Sequence, residues 1–100
     1  MGVRQVYLMK IDMDYKPNGL FKRKEFMRLN FYFDETSETT HIIFEDKLNQ
    51  KSSRYFEDFK LSRKFKKRVT NMVDILNEVK SINDYTTLSR NLNCEYKKVI

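Results

Sequence analysis

The fold of this chain is decided by one stretch of nine residues, Tyr7-Leu8-Met9-Lys10-Ile11-Asp12-Met13-Asp14-Tyr15. Every odd position holds an apolar or aromatic side chain, and the even positions after Leu8 are charged. A period of two is typical of a β-strand that buries one face. The stretch therefore predicts a first strand whose odd-numbered side chains face a core.

Two further stretches predict strands that follow the first after short connections. The second strand is expected from about Phe21 to Phe33, after a reversal at residues 16–19 that contains the only proline. The third is expected over residues 39–48. Short connections favour an antiparallel meander, because parallel neighbours need a long crossover. Residues 49–61 fit either a fourth strand or a helical turn, and we favour the strand.

The apolar period changes from two to between three and four after about residue 62. The positions that repeat at this spacing are Phe65, Val69, Met72, Val73, Leu76 and Val79. This spacing predicts an amphipathic helix over about 62–80. Asp84 is expected to cap a further short helix in the C-terminal segment, residues 84–100.

These patterns predict one α+β domain over residues 1–100. Its antiparallel meander sheet of three or four strands would span about 3–61 and pack against one long amphipathic helix, with a short C-terminal helix after it. The chain has 100 residues, of which 34% are charged and 40% hydrophobic, a composition that excludes a membrane-embedded protein. A single cysteine, Cys94, and the absence of a signal-peptide pattern favour a cytoplasmic protein.

The charge of the chain is concentrated in its second half. The formal net charge is +6, and residues 1–50 contribute none of it because their basic and acidic side chains are equal in number. A local excess of this kind favours a polyanionic partner, since the local potential steers association. Nucleic acid, DNA or RNA, is the first such partner, and an acidic protein surface is the second.

The strongest single signal is the run from Lys60 to Arg68, which holds six basic residues and no acidic one. On a helix, five of them share an arc of roughly 140°: Lys60, Arg63, Lys64, Lys67 and Arg68. We expect these five to contact phosphates. Cations near a helix N-terminus oppose the helix dipole, and phosphate contacts would compensate for that cost.

A second signal lies on one face of the second predicted strand. Phe26, Arg28, Asn30 and Tyr32 alternate with the apolar set, and aromatic rings beside Arg on an open sheet can contact bases. Phe26, Arg28 and Tyr32 are therefore candidate base contacts. In the alternative, the helix covers this face and makes Phe26 and Tyr32 ordinary core residues.

A third signal lies in the C-terminal segment, whose spacing resembles that of a helix-turn-helix. The resemblance rests on Leu88, Ser89, Leu92, Asn93, Cys94 and Val99. It implies a recognition helix after Asn93, a position where that motif prefers glycine.

Residues for catalysis are sparse, so we predict a protein that is not an enzyme and that uses no cofactor or metal. One His and one Cys lie far apart, and zinc-ligand spacing and a glycine-rich phosphate loop are missing. Asp12 and Asp14 are expected to pair with Lys22 and Lys24 across the first hairpin.

The leading functional prediction is a small basic protein that binds nucleic acid without catalysing a reaction. An alternative is a viral or mobile-element factor that docks on a host protein. A third is a metal-dependent nuclease, because Asp34, Glu45 and Lys47 are similar to the Asp, Glu-x-Lys pattern of such enzymes.

Overall fold

The structure is a computed structural model that describes residues 3–16, 18–20 and 23–100. Its elements in chain order are β1 (Val6–Tyr15), β2 (Glu25–Asp34), β3 (Thr39–Asp46), β4 (Lys51–Ser53), a 3-10 turn (Phe56–Asp58), α1 (Arg63–Asn77), α2 (Ile82–Leu92) and β5 (Tyr96–Lys98). The strands form one antiparallel sheet in the order β4-β3-β2-β1-β5. The predicted α+β class is confirmed, although the described sheet has five strands where three or four were expected.

Both helices pack against one side of the sheet, here called the covered side. Its buried residues include Met9, Ile11, Met13, Met27, Leu29, Phe31, Phe33 and Phe44. The odd positions of β1 therefore face the core as predicted. Tyr85 of α2 is fully buried there, its hydroxyl donates to the carbonyl oxygen of Phe31 at 2.9 Å, and its ring stacks on Phe33.

The predicted long helix is present as α1, with a start set by Ser62. The hydroxyl oxygen of Ser62 accepts a hydrogen bond from the amide of Phe65 at 3.2 Å, which is the bond that defines an N-cap. The helix ends at Asn77 rather than near residue 80. Among the described residues, neither α1 nor α2 has the length and apolar content that a bilayer crossing requires.

The short second helix is also present, but its predicted cap is wrong. Ser81, not Asp84, is the N-cap of α2, and its hydroxyl oxygen accepts from the amide of Asp84 at 3.1 Å. The Asp84 carboxylate accepts in return from the amide of Lys80 at 3.0 Å. Asp84 therefore lies three residues after the cap, as the acidic partner of a capping box does, but it accepts from the residue before the cap and not from the cap itself.

The helix-turn-helix resemblance is wrong, because a strand follows α2. Asn93 has φ 53° and ψ 39°, a left-handed conformation that ends the helix. The chain then runs along the edge of β1 as β5, and the amide of Val99 donates to the carbonyl of Val6 at 2.8 Å. Pairing with the free edge of β1 satisfies backbone groups that a recognition helix would leave exposed.

Two strand boundaries also differ from the prediction. β2 begins at Glu25, which pairs with Tyr15, so the connection from β1 is longer than a tight reversal. Pro17 and Phe21, which belong to that prediction, lie outside the described residues, and so does Lys22, an expected ion-pair partner of Asp12 and Asp14. In residues 49–61 only β4 is a strand, and the chain then forms the 3-10 turn.

Candidate functional site

The cations of α1 form an exposed surface opposite its buried face. Phe65, Val69 and Leu76 are fully buried against the sheet. The side chains that point away are exposed, and they define the basic face of α1: Arg63, Lys64, Lys66 and Lys67. In the described ranges the ion pairs are Arg4–Asp34, Arg28–Asp12 and Lys47–Asp12, so none involves this face.

Two of the five predicted phosphate contacts, Lys60 and Arg68, are not simply exposed cations of the basic face. Lys60 is exposed but precedes the helix, so it does not share the helical arc. Arg68 is in the helix, where its Nη1 donates to the backbone carbonyl of Asp14 at 2.9 Å and its guanidinium lies 5.6 Å from the Tyr15 ring centre. Arg68 therefore also joins α1 to the end of β1. Lys66, which lies off the predicted arc, is exposed and belongs to the basic face.

A carboxylate of the chain itself, that of Glu25, lies at the start of α1. The Glu25 carboxylate accepts from the amide of Ser62 at 2.5 Å and from its hydroxyl at 2.8 Å. A negative charge at a helix N-terminus offsets the cost of the cations that follow it. Part of the compensation that was expected from phosphate contacts is therefore supplied by Glu25.

The second predicted surface lies on the opposite side of the sheet, here called the open side. Arg28, Asn30 and Tyr32 alternate with the core residues of β2 and are directed to this side. Arg28 and Tyr32 are half-buried, and Asn30 is 6% exposed. The alternative in which the helix covers Phe26 and Tyr32 is wrong, because the helices pack on the covered side.

Arg28 is held by an internal partner. Its guanidinium contacts both oxygens of the Asp12 carboxylate, at 2.7 and 3.1 Å. The hydrogen bond from Arg28 lowers the pKa of Asp12, and the one to Asp12 raises the pKa of Arg28. Asp12 also accepts from Lys47 at 3.5 Å. Its expected partner Lys24 instead lies over the Phe26 ring, because the strand register places Arg28 opposite Asp12.

The residues of the predicted site therefore lie on two separate surfaces. The basic face of α1 points away from the covered side of the sheet, whereas Arg28 and Tyr32 lie on the open side. These two surfaces are separated by the sheet and cannot contact one short segment of a ligand together. Phe26 is the exception, because it lies near the beginning of β2 and shares a cleft with Lys60.

That cleft lies at the end of the sheet where α1 begins, and it has a volume of about 480 Å³. We call it the end cleft. Its cations and aromatic rings are Arg23, Lys24, Lys51, Lys60, Phe26 and Phe59. The Lys24 ammonium lies 4.6 Å from the Phe26 ring centre and the Lys51 ammonium 5.6 Å from that of Phe59, both within cation–π range. Sequence reasoning missed Arg23, Lys24 and Lys51 because three separate segments supply this surface.

The residues of the nuclease pattern do not come together. Asp34 ends β2, where its carboxylate accepts from Arg4 and from two turn amides. Glu45 lies opposite Arg28, six residues from Asp34 along β2, a separation of about 20 Å. Lys47 is held by Asp12. Across residues 3–16, 18–20 and 23–100, no three His, Cys, Asp or Glu side chains are grouped as metal ligands.

Comparisons of this chain with protein-family models, with curated proteins and with solved structures give no match.

Proposed function

We propose that this chain is a non-enzymatic protein that binds nucleic acid through the basic face of α1. One observation carries the proposal: Arg63, Lys64, Lys66 and Lys67 are exposed together, and no carboxylate of the described residues pairs with them. The next acidic side chain along the helix is Asp74. A protein surface of this kind attracts an external polyanion, because its charges are not neutralised from within.

The physical basis of the binding is the release of counterions from phosphates. Each phosphate that a Lys or Arg neutralises contributes about −0.9 to the salt slope on duplex DNA and about −0.7 on a single strand. Four side chains on one face supply a slope of roughly −3 to −4. Contacts of this type position a nucleic acid without reading its sequence. The proposed binding is accordingly sequence-tolerant and strongly salt-dependent.

The test is a charge reversal on α1, measured by fluorescence anisotropy with labelled DNA and RNA over a series of salt concentrations. The variant is Arg63→Glu, Lys64→Glu and Lys67→Glu together. We expect it to weaken binding to every sequence and to reduce the salt slope by about 3. Arg68 is left intact because it also holds the end of β1.

The matched control reverses the charge of three lysines outside the basic face of α1, and its substitutions are Lys80→Glu, Lys97→Glu and Lys98→Glu. All three are exposed, and the change in net charge is the same. We expect this control to retain most of the wild-type affinity. Equal losses in both triple variants would show that only net charge matters, and undiminished binding by the α1 variant would refute the proposal.

The open side of the sheet favours a second candidate function, docking on another protein. Tyr32 of β2 and Ile43 of β3 are half-buried on that side, and neither belongs to the core that the helices cover. Under this alternative, Tyr32→Ala weakens capture of the protein partner, and added nucleic acid does not compete. Competition by nucleic acid together with an unchanged Tyr32→Ala variant would exclude it.

A further inference from the structure

The end cleft lies at the start of α1, and it brings apolar rings together with cations that form no ion pair with the described residues. The Phe26 ring is half-buried and that of Phe59 is buried, while Lys24 and Lys60 are exposed. The volume of about 480 Å³ lies within the range of sites that hold small ligands or parts of larger ones. The cleft therefore offers a place for a flat ring next to places for negative charge.

Three carboxylates also line the cleft, but each is occupied by donors of the protein itself. Glu25 accepts from Ser62, and the hydroxyl of Ser53 donates to Asp58. Asp46 accepts from the turn that follows it, including the side-chain amide of Asn49 at 2.8 Å.

The cations of the cleft have no such carboxylate partners. Within the described part of the chain, Arg23, Lys24, Lys51 and Lys60 form no ion pair. Lys51 donates only to the backbone carbonyl of Asp58, at 2.9 Å. The three carboxylates keep their charge but accept from neutral donors of the protein, and the four cations exceed them by one, so the cleft keeps a small positive excess for an anionic ligand.

We propose that the end cleft takes one unpaired base, with its flanking phosphates, from a single-stranded nucleic acid. The Phe26 ring would stack on the base, since every base presents a π-face and stacking on aromatic side chains tolerates any sequence. Lys24 and Lys60 would contact the flanking phosphates, and from Lys60 the backbone would continue along the basic face of α1. A base inside a duplex is stacked on both faces and paired along its Watson–Crick edge, so it cannot enter a cleft of this kind without leaving the helix, which costs unstacking and unpairing energy.

This inference rests on the proposed function and names its substrate class as single-stranded DNA or RNA. The probes are labelled oligothymidylate, oligouridylate and a duplex of equal length, titrated by fluorescence anisotropy at one salt concentration. We expect the wild-type protein to bind at least one of the two single strands more tightly than the duplex. A duplex bound as tightly as both single strands would overturn the inference.

The variant that isolates stacking is Phe26→Leu, which keeps an apolar side chain but removes the ring. Loss of one base–aromatic stack, worth about 1–3 kcal/mol, corresponds to a reduction in single-strand affinity of about fivefold to a hundredfold. Duplex affinity should stay unchanged. The matched control is Tyr55→Leu, which removes an exposed ring outside the cleft and should leave single-strand affinity intact.

A second variant, Lys24→Glu, tests the cleft with a substitution that should not disturb folding, because Lys24 is exposed and lies before β2. We expect it to weaken single-strand binding several-fold more than duplex binding. Wild-type single-strand affinity in both Phe26→Leu and Lys24→Glu would overturn the inference. If the α1 reversal still abolishes binding in that case, the proposed function stands without the cleft. If the wild-type protein binds no nucleic acid, both fail.

Discussion

The Glu25 carboxylate joins β2 to the start of α1 by accepting from both the amide and the hydroxyl of Ser62, at 2.5 and 2.8 Å. The same Ser62 hydroxyl caps the helix through the amide of Phe65. One acidic side chain on the sheet therefore fixes the N-cap residue and places a negative charge where the helix dipole is positive. Arg63, the first cation of the basic face, follows Ser62 directly in the chain.

Glu25→Gln is expected to lower the free energy of unfolding by about 1 kcal/mol, because it removes the charge but keeps one acceptor for Ser62. The measurement is urea denaturation followed by circular dichroism. The control is Glu57→Gln, an exposed carboxylate of the 3-10 turn that should change stability by less than about 0.5 kcal/mol. Equal losses in the two variants would contradict the capping role of Glu25.

The parts of the fold that could be predicted are those with a strong apolar period. The alternation in β1 and the recurrence of Phe65, Val69 and Leu76 in α1 both arise from burial of one face. A buried face requires apolar residues at a regular spacing, which can be seen in the sequence. β5 could not be predicted, because Tyr96–Lys98 is exposed and is held by backbone hydrogen bonds to β1. Backbone pairing has no side-chain pattern that would reveal it.

The candidate site was predictable only in part, for a reason that lies in β2. Both faces of this strand carry aromatic side chains, Phe31 on one and Tyr32 on the other. The alternation alone therefore cannot show which face the helices cover. The exposure of the α1 cations follows from the helical period, but their separation from Arg28 and Tyr32 depends on that choice of face.

Asp12→Asn tests the ion pair on the open side of the sheet. The hydrogen bond from Arg28 lowers the pKa of Asp12, so the charged carboxylate is favoured in the folded state. Its stabilisation is present above the ordinary Asp pKa of about 3.9 and is lost as the pH falls through the lowered pKa. Because Asp12 is 54% exposed, we expect the variant to cost only about 0.5 kcal/mol at neutral pH.

At the lowest pH at which the wild-type protein remains folded, this cost should shrink, because Asp12 of the unfolded chain takes up a proton at a higher pH than Asp12 of the folded protein does. Urea denaturation at the two pH values measures the difference. The control Asp74→Asn changes an exposed carboxylate of α1 and should alter stability by less than about 0.5 kcal/mol at neutral pH. A cost for Asp12→Asn that is the same at both pH values would contradict the assignment.

Tyr85→Phe tests the buried hydroxyl at the centre of the core. It removes the hydrogen bond to the Phe31 carbonyl and should lower stability by about 1–2 kcal/mol at neutral pH. Burial raises the pKa of Tyr85 above its ordinary value of about 10. The un-ionised phenol therefore contributes its full stability below about pH 10, and this contribution is lost as the pH rises towards the raised pKa.

The stability of the wild-type protein should consequently fall more steeply between about pH 9 and pH 11 than that of Tyr85→Phe. Thermal unfolding across this range gives both slopes. Tyr55→Phe removes the hydroxyl of a ring that is 65% exposed, and as the control it should change stability by less than about 0.5 kcal/mol at neutral pH. Parallel slopes in wild type and Tyr85→Phe would show that the buried phenol does not drive the alkaline loss.

Asn93→Ala and Asn93→Gly test the junction between α2 and β5. Asn93 has φ 53°, where a residue with a Cβ other than Asn or Asp is strained and glycine is not. We expect Ala to lower the free energy of unfolding by about 1 kcal/mol and Gly to leave it near the wild-type value.

Asn91→Ala, at an exposed position within α2, should be neutral or slightly stabilising because Ala favours the helix. Urea denaturation of the three variants measures these values. Equal stability of Asn93→Ala and Asn93→Gly would mean that the left-handed residue is not what turns the chain from α2 into β5.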